Sequence, residues 1–273
     1  MRRAEYVTSS GERHPIDDPR FALVGIGAGV RGWRWAYAVG SDDLVGVHRG
    51  PYEASITFTL PSMAAARSLL DAFDADMAGE PGSLLVDGTW SQRVRVPKGD
   101  VSSIGPAGDV RLSATVVLLD GAWGRTVTEE FLTKDLAPDT DLDLPADAPY
   151  DLGATRRTAS ITVPGPVPCP VRLTVWGQAV RPRITVGGNL YAFDVTVPAG
   201  SRLVADATGR RKTIALVSDM GDAVDAFDAG VRGDGPGGGS YCFEPLPPGE
   251  HAVSYDGTFG ATLEYIVTRG GLP

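Results

Sequence analysis

The spacing most suggestive of chemistry is Gly27-x-Gly29-x-x-Gly32, a G-x-G-x-x-G run that follows the strand-like residues 21–26. In a dinucleotide site such a run turns sharply into a helix, whose first amides face the pyrophosphate. Here it runs into Trp33-Arg34-Trp35-Ala36-Tyr37, which is aromatic and strand-like, and no acidic residue ends a second strand at the distance a ribose contact needs. The run is therefore a glycine-rich loop between strands, and no cofactor is expected.

Other chemical candidates fare similarly. Asp139, Asp141 and Asp143 alternate like the start of a calcium loop, but the turn glycine and the closing bidentate Glu are absent. Asp219, Asp222, Asp225 and Asp228 form a second acidic series, expected to be hydrated side chains rather than a metal site. His14, His48 and His251 are the only histidines, and none stands in a nucleophile elbow, a metalloprotease helix or a triad-like motif. Cys169 and Cys242 are too few for a zinc site or a disulfide scaffold and are expected to be reduced core residues. Arg232-Gly233-Asp234 copies an adhesion tripeptide, but in a chain with 35 glycines it is a chance match. Trp176, beside Gly177 at the end of an alternating strand, is expected to pack in a core or interface, the other reading being a platform for a sugar. No catalytic or metal-binding residue is assigned, and the chain is not expected to be an enzyme.

Charge narrows the partners. The net charge is -9, and residues 139–151 contain five aspartates and no basic group, whereas residues 152–273 balance 11 basic against 11 acidic groups. No segment has the basic surplus that grips phosphates, so sequence-reading nucleic-acid binding is excluded. The longest apolar stretch, residues 21–30, is short and Gly-rich, and the amino terminus lacks the apolar run of a signal peptide. Synthesis in a cytoplasm without membrane insertion is the expectation.

The elements that would carry these residues are mostly strands. Ala54, Ile56, Phe58 and Leu60 alternate with polar residues, as do Val110, Leu112, Ala114, Val116 and Leu118. The pattern returns at Val171, Leu173 and Val175, at Tyr191, Phe193, Val195 and Val197, and at Leu263, Tyr265 and Val267. Short strands between frequent turns predict a mainly β fold of sandwich or jelly-roll type. One amphipathic helix interrupts it, with Ala66, Leu69, Leu70, Phe73 and Met77 on one side, Ser62 as N-cap, and Gly79 and Pro81 as the stop. The Pro- and Asp-rich residues 139–151 form an extended linker, dividing the chain into domains 1–138 and 152–273. Residues 230–239, holding six glycines and a proline, are a loop.

The order of these pieces resembles the distal tail proteins of siphophages. Gly50-Pro51-Tyr52-Glu53 leads into the strand ending at Leu60, and a short helix and the strand at residues 83–86 follow. In the second half come residues 158–165, residues 171–177, Arg181-Pro182-Arg183-Ile184, residues 193–200 with a Pro-Ala-Gly turn, Val204-Ala205-Asp206 and Leu246-Pro247-Pro248-Gly249. The resemblance covers nearly the whole chain, each motif being loose and their order carrying the weight.

That resemblance implies a tail-tube-like first domain with one packed helix and a galectin-like β-sandwich as the second. It implies a structural component of the virion tail tip or baseplate, assembled in the host cytoplasm. Six copies would form a ring around a lumen through which DNA merely passes. Partners would be the tail tube protein, the tail hub or tail-associated protein, and receptor-binding proteins. Trp33, Trp35 and Tyr37, beside the glycine-rich loop, are then candidates for the oligomer interface, ordinary core packing being the competing role. The alternative function is a virion protein whose second sandwich binds a cell-wall glycan.

Overall fold

The computed structural model describes residues 4–16, 34–133, 157–209 and 211–271. The glycine-rich run at Gly27, Gly29 and Gly32, Trp33, and the aspartates of residues 139–151 lie outside these. The chain forms two compact units, Met1–Arg125 with Thr268–Pro273, and Thr126–Val267. The first contains β1 (Ala4–Val7), β2 (Arg13–Pro15), β3 (Trp35–Val39), β4 (Leu44–Arg49), β5 (Tyr52–Leu60), α1 (Met63–Ala78), β6 (Gly82–Val86), β7 (Trp90–Ile104), β8 (Val110–Leu118) and the start of β9 (Trp123–Phe131). The second contains β10 (Arg157–Val163), β11 (Val171–Trp176), β12 (Ala179–Val180), β13 (Arg183–Val186), β14 (Asn189–Ala192), β15 (Thr196–Val197), β16 (Arg202–Asp206), β17 (Thr213–Val217), β18 (Ala223–Asp225), β19 (Gly249–Tyr255) and most of β20 (Gly260–Arg269). The fold is mainly β with a single α-helix among the described residues, as the alternation predicts.

In the first unit antiparallel pairing gives the order β2-β1-β6-β7-β8-β5. The long β7 makes this possible, pairing with β6 through residues 90–94 and with β8 onward from Val94, with register shifts that bend it. Alternation decides which side is inward: Ile56, Phe58, Leu112, Val116 and Leu118 are all buried. The helix α1 packs on β5, β7 and β8. Gly99 permits the approach to β7, because a Cβ there would lie 2.7 Å from Leu70 Cδ2.

The ends of α1 form as the sequence predicts. Ser62 Oγ accepts from the Ala65 amide at 3.3 Å, and the Gly79 amide donates to the Ala75 carbonyl at 2.9 Å. Its buried stripe differs from expectation: Ala66, Leu69, Phe73 and Asp76 are buried, whereas Met77 is exposed. Asp76 lies seven residues, almost two full turns, beyond Leu69 and so shares the side of the axis that Leu69 buries. Asp76 is accommodated there by polar partners. It accepts from Tyr6 Oη at 2.5 Å and from Ser9 Oγ at 2.6 Å, while Tyr6 meets Phe73 edge-on at 4.7 Å. The last turn of α1 has no basic residue of its own. Arg95 of β7 supplies one, donating to the carbonyls of Asp76, Met77 and Gly79.

The second unit is a sandwich. One sheet runs β18-β17-β16-β11-β20 and the other β10-β19-β13-β14, with β12-β15 as a short separate pair. Leu173, Val175, Leu203, Ala205, Leu263 and Tyr265 from the first sheet are buried, as are Ile161, Ile184, Val186 and Val253 from the second. Tyr265 Oη of β20 donates to the Thr162 carbonyl of β10 at 3.3 Å, tying the sheets together. Cys169 and Cys242 are buried free thiols.

The division of the chain into units falls inside β9, after Arg125, and again inside β20, after Val267. The second unit is thus inserted into the first, which the chain leaves and re-enters. Trp90 receives both ends of that excursion: the guanidinium carbon of Arg125 lies 5.5 Å from its ring centroid and that of Arg269 5.4 Å.

Candidate assembly surface

Residues 34–51 build a separate two-stranded ribbon, β3 with β4. Its turn is tight: the Gly40 amide donates to the Asp43 carbonyl at 2.9 Å, and Asp43 Oδ1 accepts from the Leu44 amide at 2.7 Å. The register pairs Trp35 with Arg49, Ala36 with His48, Ala38 with Val45 and Val39 with Leu44. An extra residue therefore sits in β4 opposite Tyr37. Gly46 takes it up in the left-handed region, at φ 64.

Cross-strand partners share a face, so Trp35, Tyr37, Val39, Leu44 and Arg49 lie together, and Ala36, Ala38, Val45 and His48 lie on the reverse. Neither face is covered among the described residues. Trp35 is 42% exposed, Tyr37 56% and Val39 80%, and Leu44, Val45 and Val47 are also exposed. The Arg49 guanidinium lies 4.8 Å from the Trp35 ring centroid and fixes that side chain. A hollow of about 320 Å³ beside it is lined by Arg34, Trp35, Ala36, Tyr37, Gly50 and Pro51.

A lone two-stranded ribbon is marginal in water, and an apolar surface on both its faces has no stabilising partner within the described chain. Among the described residues Trp35 and Tyr37 are not buried, and Trp33 lies outside the described residues. Sequence reasoning missed Val39, Leu44, Val45 and Val47. Their signal was present: residues 44–47 are almost wholly apolar without alternation, the pattern of a strand that buries both faces.

The remaining candidates are dispersed. His14, His48 and His251 stand on β2, β4 and β19. Asp219 and Asp222 occupy the β17–β18 turn, Asp225 ends β18 and Asp228 lies in a short helical turn. No group of three or more His, Cys, Asp or Glu side chains able to hold a metal ion occurs among the described residues. Arg232 lies over Phe227, 4.3 Å from its ring centroid, and 3.9 Å from Asp228. Trp176 is 46% exposed, so of the two packing roles expected for it, core or interface, the core one is not found among the described residues.

No family model matches the chain, and no curated protein matches it either. Solved structures do. A protein described as SPP1 Dit, a paradigm of the hub adsorption apparatus in phages infecting Gram-positive bacteria, aligns at TM-score 0.55 and 8% identity over 97% of this chain and 99% of that one. The chain has the fold of a siphophage distal tail protein. A chain from the phage P2 baseplate in its activated conformation with Ca aligns at TM-score 0.56 and 8% identity over the whole of both chains. The corresponding structure with Sr gives 0.54 at the same identity and coverage. The distal tail protein fold thus extends over both units, which the order of loose motifs also implied.

Proposed function

We propose that this protein is a structural ring component of a siphophage tail tip, linking the tail tube to the hub and host-recognition proteins. The observation that carries the proposal is the uncovered apolar ribbon β3–β4 on a chain with the distal tail protein fold. In a closed ring each copy presents one surface to a different surface of the next, so a ribbon left bare in one copy is buried by its neighbour. Trp35, Tyr37, Val39 and Leu44 are the apolar anchors of that contact, and Trp33 belongs with them by proximity in sequence.

Six copies around a central hole, with DNA passing through, are part of the same proposal. The net negative charge of the chain suits a lumen that must not hold DNA. Assembly in the host cytoplasm fits the two buried free thiols.

Electron microscopy and light scattering of the purified protein, alone and with tail tube protein, test the reading. Six-fold rings with a central hole are the expected result. A protein that stays monomeric at high concentration and never joins the tube would overturn it.

A further inference from the structure

We propose that the outward face of the β16-β11-β20 sheet binds a neutral glycan, with Trp176 as the stacking platform. Strand pairing places three rows of side chains on that face. Trp176 stands beside Arg202 and Gly260, Thr174 beside Val204 and Thr262, and Arg172 beside Asp206 and Glu264. The intervening residues Leu173, Val175, Leu203, Ala205, Ala261 and Leu263 fill the core, so these rows point away from it.

Trp176 keeps 46% of its surface exposed, yet its indole is fixed. Nε1 donates to Thr262 Oγ1 at 3.1 Å, and the Arg202 guanidinium carbon lies 5.8 Å from the ring centroid. Gly260, the partner on the other side, presents no side chain against it. An aromatic ring held in place before the ligand arrives loses little rotamer freedom on binding. Its negative face complements the polarised C–H bonds of a pyranose ring.

Thr174, in the middle row, is itself buried at 8% exposure, and the outer row of Arg172, Asp206 and Glu264 supplies hydrogen bonds in fixed positions. Arg172 is held by Asp206, at 2.7 and 2.9 Å, and by Glu264 at 3.6 Å. Asp206 in turn accepts from the amide and hydroxyl of Thr208 at 2.8 and 2.6 Å. Arg172 and Arg202 balance Asp206 and Glu264, so the face carries no net charge and favours a neutral ligand over a polyanion. From Trp176 to Arg172 is four residues along one strand, about 13 Å, room for a short oligosaccharide. Immediately after Trp176, Gly177 and Gln178 line a hollow of about 490 Å³ with Thr133, Val180, Thr258 and Phe259. The amide and hydroxyls there suit a hydroxyl-rich ligand better than an apolar protein surface.

This inference does not depend on ring formation. The test is calorimetric titration of the full chain with maltohexaose, cellohexaose and chitohexaose, and with poly(glycerol phosphate) as the anionic arm. Saturable binding of at least one neutral hexasaccharide is expected, weakened about tenfold or more by Trp176→Ala, the scale of one lost aromatic platform. Thr262→Val, which keeps the ring but frees it, should weaken binding severalfold, and neither variant should shift the melting temperature appreciably. Absence of saturable binding to all three neutral sugars overturns the proposal. So does binding that Trp176→Ala leaves unchanged, or binding confined to the polyanion.

Discussion

Tyr6 and Asp76, separated by 70 residues, are joined by a 2.5 Å hydrogen bond from phenol to buried carboxylate. The bond pins β1 to α1, and Gly82 of β6 completes it, since a Cβ there would collide with both side chains. Burial pushes the Tyr6 phenol well above its ordinary value, and the hydrogen bond and charge of Asp76 add to the effect.

Tyr6→Phe should therefore cost about 1–3 kcal/mol near neutrality, by leaving a buried carboxylate short of a partner. The pH dependence has a definite sign. The folded state keeps the Tyr6 proton where the unfolded chain releases it near 10.0, so this stabilisation is intact below pH 10 and declines as pH rises further. The gap between parent and variant should narrow above pH 10. Urea unfolding at pH 7, 9 and 10.5 measures it, and a gap that widens contradicts the linkage.

Arg95 caps α1 from a neighbouring strand by a three-carbonyl fork. Arg95→Ala should destabilise the first unit by about 1–3 kcal/mol and speed amide exchange in the last turn of α1. Arg95→Lys should recover little, because an ammonium cannot span the three acceptors. Full recovery by lysine would show that charge alone is at work.

Trp35→Ala and Leu44→Asp should abolish or strongly weaken oligomers while leaving the melting temperature of the monomer nearly unchanged, since both side chains are exposed in the single chain. Light scattering and thermal unfolding on the same samples separate the two effects. Loss of fold in step with loss of assembly would return these residues to a core role.

Cys169 and Cys242 are each 1% exposed, and burial raises both thiols above their usual range. Neither should react with a thiol reagent in the native protein, and both should react in denaturant. The double change to Ala should keep assembly intact, and an assembly defect specific to oxidising or reducing conditions would count against it.

Protease should cut preferentially within residues 139–151, the Pro- and Asp-rich stretch proposed as the linker between domains. Because Thr268–Pro273 belongs to the first unit, the two fragments should remain associated after cutting. Fragments that separate on gel filtration without denaturant would contradict this.

Much of the fold was legible because strand alternation is a local signal. The rows through Phe58, Leu112 and Leu263 are visible two residues at a time, and Ser62 and Gly79 announce the ends of α1 without knowledge of anything distant. What was hidden depends on partners far along the chain. Asp76 reads as a solvent-facing acid until Tyr6 and Ser9 arrive, and Arg95 reads as an exposed strand residue until the helix end is placed over it. The proposed assembly surface was half legible: Trp35 and Tyr37 stand out by size, but only the register of β3 with β4 puts Val39 and Leu44 on their face. For Trp176 strand position alone leaves core and surface open, and the neighbours on β16 and β20 decide between them.

The two arginines on Trp90 also bear on mechanics. A domain hung from one covalent lead transmits a pull through a single backbone and swivels freely about it. An inserted domain divides the same pull between two backbones, here entering the first unit at Arg125 and Arg269, which converge on one indole. Tension on either lead is met at a common anchorage, and cutting the chain short before Arg269 removes half of it. A chain ending near residue 138 would thus lack one of the two cables, so separating the halves by deletion alters the half that is kept.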